Sequence, residues 1–479
     1  MTTQVASAPR AAQTSGKLIR LSIGGEPPPE MLEVLGRVAA EPYVDSVLAL
    51  PDLHWKSDME VPSSLAITTR DFMVPEFTSM DVNDGMGVIP TGLSEADMSP
   101  ERIGALFASI NANSATGHFD RNRYSLSAQE LRATLTQGAG ALIERYQLDS
   151  GVLAGFEDGG CVPDAGLGMP RLLDVVPLQL LHTTFTRSEM GLNFGGNHFL
   201  EVQVVDEVLD AEVAKRWGFQ KGQVVVMYHL GPGPFSATLL NHYSRRTKLP
   251  PARVPLYFFS KLLFHYLQRA GRGTLAGKWR MHFRQNGWTP VGARSDEGRL
   301  LRQAMTMAIN FGYAYRLATV RAIADGLAAS FSPRLEWRLF CDISHNGIEE
   351  VPGTDGVRFV ARHNACRLVP GQPTIVAGMY DVPSYLGVGN PAVSETLRSY
   401  DHGAGHLIES ARSHDRLSVG VGEITRFRMT RGRAGRVVSL KTLPMRSAEH
   451  MDGLMECFRA QGMMQRVIRL RPIGNMKNG

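Results

Sequence analysis

The chain has 479 residues, with 43% apolar and 20% charged residues and a formal net charge of +5. Those values exclude a disordered or collagen-like chain and fit an enzyme-sized globular protein whose core needs no covalent staples. Length alone suggests about three domains, although single folds of this size exist.

Residues 1–17 are small and polar and read as a floppy tail, without the apolar stretch of a signal peptide. Leu18–Ile23 alternates weakly, as a first strand would, and Glu30–Ala40 has helical spacing at Met31, Leu32, Val34 and Leu35. Val44–Leu50 and Gly85–Pro90 read as buried strands. Pro100–Ile110 and Ala128–Tyr146 read as amphipathic helices, the first opened by Ser99-Pro100. Residues 150–170 are glycine-rich and read as a loop. Phe199–Val205 and Gln223–Leu230 are predicted strands, and Leu256–Gln268 and Gly298–Ser330 are the clearest helices. Trp337–Cys341, Thr374–Val376 and Val437–Leu443 complete the strand candidates. No repeat or low-complexity linker appears, so a single large α+β domain over 18–479 is expected.

Charge is unevenly placed. Residues 41–84 hold 9 Asp/Glu against Lys56 and Arg70, whereas residues 411–479 hold 14 Lys/Arg against 5 Asp/Glu. Solvated surface accounts for such runs as readily as a carboxylate metal cluster and a surface for a polyanion do. Cys161, Cys341, Cys366 and Cys457 are far apart with no CxxC, so neither a zinc knuckle nor a disulfide framework is expected. This fits a reducing, cytoplasmic setting. The apolar runs are too short to span a membrane.

Of the 14 histidines, His198, His229 and His345 share one setting, beside glycine or a turn at the end of a predicted strand. Strand ends hold side chains rigidly at a cleft rim, and imidazole binds transition metals. Asp81-Val82-Asn83-Asp84-Gly85 puts two carboxylates three residues apart across a turn. From local residues alone an Asx turn is the preferred reading of that segment. His402 opens His402-Gly403-Ala404-Gly405-His406.

These segments together resemble the RtcB family of GTP-dependent RNA-splicing ligases. Pro51-Asp52-Leu53-His54 is similar to an early Pro-Asp-x-His segment of that family, and Asp81–Gly85 to its Asp-Ile-Asn-Cys-Gly metal turn. Asn197-His198-Phe199-Leu200-Glu201 resembles its Gly-Asn-His-Phe-x-Glu motif, His345-Asn346 its His-Asn pair, and Met305–Phe311 its Met-x-x-Ala-x-Asn-Phe stretch. Gly378, Ser384-Tyr385 and Gly389, then His402–Gly405, and then Pro472–Lys477 resemble three later motifs in order.

The resemblance implies a compact α+β domain, two Mn²⁺ ions (Mg²⁺ being an alternative) and GTP. Its implied substrate is RNA with 3′-phosphate, or 2′,3′-cyclic phosphate, and 5′-hydroxyl ends, and an activating protein partner is compatible with it. By that resemblance, His229 and His345 hold one metal, Asp81 and His198 the other, and Asp84 takes the bridging position of the family's cysteine. His402 is the guanylylated nucleophile. Asn197, His198, Phe199, Leu200, Glu201, His345, Asn346, Ser384, His402, Gly403, Ala404, Gly405 and Lys477 contact GTP. The backbone N–H groups of Gly403, Ala404 and Gly405 are expected to cradle phosphate oxygens.

The chain also departs from the family. Asp84 replaces the bridging thiolate, which favours hard ions and removes an oxidisable group. Three family cations are missing: Leu230-Gly231-Pro232-Gly233 lacks an arginine, and His406 and His363 replace an arginine and a lysine. The two histidines are expected to restore part of that charge in mild acid.

Overall fold

The computed structural model describes residues 12–23, 26–56, 59–113, 121–163, 171–184, 186–188, 190–244, 254–268, 275–283, 287–353, 356–432 and 435–478. Seventeen strands are present among them: β1 (Gln13–Ser15), β2 (Leu18–Arg20), β3 (Val44–His54), β4 (Ser63–Arg70), β5 (Phe72–Met73), β6 (Asp84–Ser94), β7 (Phe199–Val208), β8 (Gln223–Leu230), β9 (Val291–Gly292), β10 (Cys341–Val351), β11 (Arg358–Arg367), β12 (Pro373–Val376), β13 (Ser384–Gly389), β14 (Ser399–Asp401), β15 (Val419–Gly432), β16 (Gly435–Arg446) and β17 (Met464–Asn478). All but β5 and β9 join one sheet, in the order β1-β2-β3-β4-β11-β10-β6-β8-β7-β17-β13-β12. On its margins β14 pairs with β11, and β15 with β16 and β17.

The sheet has a core on each face, and the strands show why. In β8, Val224, Val226, Tyr228 and Leu230 enter one cluster and Val225 and Met227 the other. In β7, Leu200, Val202 and Val204 join the first cluster, and Phe199 and Val205 the second. This is the two-residue period of a strand buried on both sides. Helices Pro29–Ala40, Pro100–Ala112, Ala128–Gln137 and the long Asp296–Ser330 fill the first layer; Gly405–Ser413 and Glu449–Ala460 fill the second. The mixed α/β architecture is the one expected.

Several boundaries differ from expectation. Residues 13–15 pair with 18–20, so the floppy tail expected over 1–17 is corrected at its end; residues 1–11 lie outside the described residues. The helix expected over 128–146 stops at Gln137, because Gly138 takes φ +57 and a Cβ there would lie 2.1 Å from the Gly160 carbonyl oxygen. Trp337–Cys341 is not a strand. Trp337 makes one isolated bridge to Thr91, and β10 starts at Cys341, so Asp342 and His345 lie inside a strand rather than after one. The long helix begins where Ser295 accepts the Gly298 N–H at 3.0 Å.

Candidate active site

The site follows from strand period and register. Asp84 opens β6 opposite His345 of β10, and Phe199 of β7 lies opposite His229 of β8. Asp84, Phe199, Glu201, His229 and His345 therefore share the sheet face of Phe199 and Met227. A bulge in β10 between His345 and Gly347, with Asn346 at φ +69, re-aims the chain there. His402 follows β14, whose Asp401 pairs with Ala365.

Two overlapping ligand sets result. His229, His345 and His402 form one, and Asp84, His198 and His229 the other; within each, the ligand atoms lie within 4.8 Å of one another. His229 Nε2 is 3.2 Å from His345 Nε2, and His198 Nε2 is 3.0 Å from Asp84 Oδ2. The other Asp84 oxygen and His345 Nδ1 are buried without a hydrogen-bond partner among the described residues. A divalent cation answers both the orphaned carboxylate oxygen and the facing imidazole nitrogens, so the donor set fits a metal. Gly231 is required here, since a Cβ would lie 2.0 Å from Asp84 Oδ1. Asp81 lies outside both sets, beside Gly233, although its charge reaches His198.

Burial, with weaker opposition from Asp84, drives the His229 imidazole well below its usual pKa, and burial does the same to His345. Burial acts against Asp84 too, but His198 and His229 outweigh it and hold the carboxyl at about 2. His198 loses to burial and gains more from Asp84, so its pKa rises. His402 falls to about 4 through burial, with Lys56 adding to it. Its Nδ1–H donates to the Asn364 carbonyl at 3.1 Å, which leaves Nε2 as a lone-pair nitrogen. The ring stacks 4.5 Å from His345.

The remaining predicted residues fall into separate places. Asn197, Phe199, Gly403 and Gly405 line a chamber of about 290 Å³ with His229 and His402. Glu201, Ser384 and Lys477 gather beyond it. Gln203 Nε2 donates to Glu201 at 2.7 Å and to Ser384 Oγ at 3.3 Å, and Asn475 Nδ2 donates to Glu201 at 3.0 Å. Burial pushes Glu201 up to about 8. Lys477 lies 5.9 Å from the Tyr380 ring, which Arg412 and Arg426 also approach. Leu200 points its side chain into the opposite core, and Ala404 is fully buried. Asn346 spends its side-chain oxygen on the Asn364 N–H at 2.6 Å and faces a different, larger cavity.

Just past the Gly403–Gly405 segment expected to cradle phosphate, the N–H groups of His406 and Leu407 are taken by the Asp52 carboxylate at 3.2 and 2.8 Å. The histidine replacements are corrected as well. His363 is fully buried and lines neither cavity, and burial lowers the pKa of His406, which works against a charge there. Much of the basic tail is spent internally. Arg412 pairs with Asp381, Arg459 with Glu456, Arg469 with Asp206, and Arg471 with Glu95 and Asp206.

Sequence reasoning missed the brace behind the metal turn. Arg316, fully buried on the long helix, donates to Asp342 at 2.7–2.9 Å, to Ser344 Oγ at 3.1 Å and to the Asn83 carbonyl. An arginine on the apolar face of a helix was the signal available.

A mixed sheet that gathers three buried imidazoles and a carboxylate in one place gives the chain two candidate histidine-rich metal sites. A family model described as tRNA-splicing ligase RtcB matches residues 35–478, and the chain belongs to the RtcB family. The tRNA-splicing ligase RtcB of Pyrococcus horikoshii is 28% identical over 427 residues, which cover 82% of this chain and 44% of that protein. That of Thermococcus kodakarensis is 25% identical, covering 93% of this chain and 90% of the relative. That of Methanococcus maripaludis is 25% identical over 80% of this chain and 78% of the relative. The chain thus spans less than half the length of the P. horikoshii and Pyrococcus abyssi proteins.

Proposed function

We propose that the protein is a GTP-dependent RNA ligase that joins 3′-phosphate (or 2′,3′-cyclic phosphate) and 5′-hydroxyl RNA ends, in RNA repair or tRNA splicing. The observation that carries this reading is His402: a buried, neutral imidazole with Nδ1–H held by the Asn364 carbonyl and the other nitrogen unprotonated. That is the state a nitrogen nucleophile needs.

In this reading His402 Nε2 attacks the GTP α-phosphorus, an N–P bond forms, and the bond to the pyrophosphate oxygen breaks with its electron pair leaving on pyrophosphate. An RNA 3′-phosphate oxygen then takes the guanylyl group and restores neutral His402. Finally the 5′-hydroxyl oxygen attacks the 3′-phosphorus and GMP departs. Mn²⁺ or Mg²⁺ held by His229 and His345, and by Asp84 and His198 with Asp81 alongside, would neutralise phosphate charge and polarise phosphoryl oxygens. Asn197 and Phe199 flank the nucleotide in the chamber, while Glu201, Ser384 and Lys477 face its base. No helix among the described residues is long and apolar enough to cross a membrane. The reading is of a cytoplasmic enzyme.

The test is incubation with Mn²⁺ and GTP labelled on the α-phosphate. Label stays on the wild-type protein and is absent from His402→Ala. An unlabelled wild type with every divalent ion tried rejects the mechanism and leaves a nucleic-acid-binding relic of the fold. A second reading, guanylylation or end processing without RNA ligation, is favoured by the missing cations at Gly231–Gly233, His363 and His406. Adding RNA with the two end types to labelled protein separates it from the first.

A further inference from the structure

The basic end of the chain is neutralised unevenly. Residues 424–446 hold seven Lys/Arg and no Asp or Glu. They make up most of the β15–β16 ribbon, and strand alternation sorts its two faces. Phe427 lies opposite Leu440 on one face. That face packs on helix Pro100–Ala112, with Phe427 5.9 Å from Phe107 between ring centres and Leu440 against Gly104. The other face carries Arg426, Arg428 and Lys441.

On this second face the register sets like charges directly against one another. Arg426 lies opposite Lys441 of β16, and Arg428 opposite Lys477 of β17. Such pairs destabilise a sheet unless an anion relieves them. None of these four side chains has an ion pair or a hydrogen bond among the described residues, and Arg426 Nε is buried without a partner. Arg426 and Lys477 lie 4.5 and 5.9 Å from the Tyr380 ring, which orients a cation without neutralising it. Arg428 and Lys441 are exposed. Burial lowers the Lys477 pKa and the Arg426 and Arg428 charges add to it, against Glu409 and Glu201. The other acid nearby, Asp381, is held by Arg412 through both oxygens. Arg469 and Arg471, further back on β17, each have an acid instead.

The patch leads to the candidate site. Asn475, two residues before Lys477, donates to Glu201 at 3.0 Å, and the Lys477 charge reaches His229. The position opposite Arg428 on β16 is Ser439, and the exposed Val438 and Leu440 belong to the other face. A lipid surface takes apolar side chains among the cations, and none lies between these. Arg426 and Arg428 are about 7 Å apart along β15, and the three strands span about 10 Å, which is room for one phosphodiester backbone.

We propose that Arg426, Arg428 and Lys441, starting from Lys477, form a track for single-stranded RNA, seating the phosphodiesters next to the end that enters the chamber. The inference rests on the RNA ligase reading for its ligand and adds the path that the strand takes. A cationic groove that follows the backbone binds without regard to sequence, so the track suits a strand of any sequence behind the reacting end.

Binding tests it. Fluorescence anisotropy of a short labelled single-stranded RNA with a 3′-phosphate end is measured on the full chain, without GTP, over a series of salt concentrations. Wild type is compared with Arg428→Gln/Lys441→Gln and with the charge-keeping Arg428→Lys/Lys441→Arg. The control is Arg459→Gln, at an exposed arginine paired with Glu456. The Gln pair should bind about tenfold more weakly and lose about 1.4 from its log–log salt slope, at about 0.7 per phosphate contact. The charge-keeping pair and the control should match wild type. If the Gln pair does not fold, Lys441→Gln alone is read in the same way, with a slope change of about 0.7. An unchanged slope, or equal weakening in the charge-keeping pair, overturns the track. So does loss of polyglutamate binding with RNA binding intact, which assigns the face to an acidic protein. Self-labelling of wild type with GTP is measured alongside: no label sinks the guanylylation reading, while the titrations still decide on the track.

Discussion

Two cavities meet at the wall formed by His345 and His402, and they differ in kind. The larger, about 760 Å³, is lined by Met305, Ile309, Ile348 and Phe359, together with carboxylates and arginines that satisfy one another. Arg367 alone bonds Glu157, Asp158 and Glu349. The smaller, about 290 Å³, holds the neutral imidazoles of His229 and His402 and the cation Lys56. Volume ranks the first ahead; chemistry ranks the second. A cavity whose charges are mutually neutralised has little left for a reacting group, whereas buried imidazoles kept neutral retain a lone pair for a metal or an electrophile.

The sharpest way to break this contrast is to remove the brace common to both sides. Arg316→Met leaves Asp342 buried without its cation and releases the Asn83 turn. It should cost about 3–5 kcal/mol in denaturant unfolding and abolish self-labelling with it. Arg367→Met strips the larger cavity of its central cation. A loss of roughly 2–4 kcal/mol is expected, with the labelling rate of the folded fraction kept within about threefold. Complete loss of labelling there would show that the larger cavity takes part in the chemistry.

Asp84→Cys restores an oxidisable ligand. Wild-type labelling should survive peroxide, and the variant's should fall and recover with thiol; a peroxide-sensitive wild type defeats the idea. A smaller effect concerns Glu201, which burial holds near 8. The folded protein then binds a proton that the unfolded chain gives up. Glu201 therefore contributes stability in full below about pH 4.5 and loses it as pH rises through 8. Glu201→Gln should flatten the stability curve across that window, and an unchanged slope assigns the drift to other groups. Smallest is Arg428→Gln, at an exposed position of β15. It should lower the salt slope of RNA binding by about 1, if that strand meets the phosphate backbone. Its partners in the same expectation, Arg431 and Arg433, lie where side chains are not described.

Periodicity made β8 legible to the residue and placed the long helix to within two residues of its start, because apolar spacing dominates there. It could not reveal β11, whose Arg362-His363-Asn364-Ala365-Cys366-Arg367 is polar yet buried through ion pairs and hydrogen bonds. Nor could it reveal β17, where Arg469 and Arg471 mask the pattern by pairing with acids far along the chain. The imidazoles were visible as strand-end residues. Arg316 and Asp342 were not, since each acts through a partner that only the register of distant elements brings near.

That spread has a kinetic consequence. The site draws on residues from Asp52 to Lys477, joined through β3, β6, β8, β10, β14 and β17, with no local segment able to preform it. Closing so many long loops makes folding slow and leaves the reactive histidine to form late. A half-made chain emerging from the ribosome thus lacks both the candidate ligand sets and the held His402 tautomer, so the proposed reaction with GTP waits until β17 has docked.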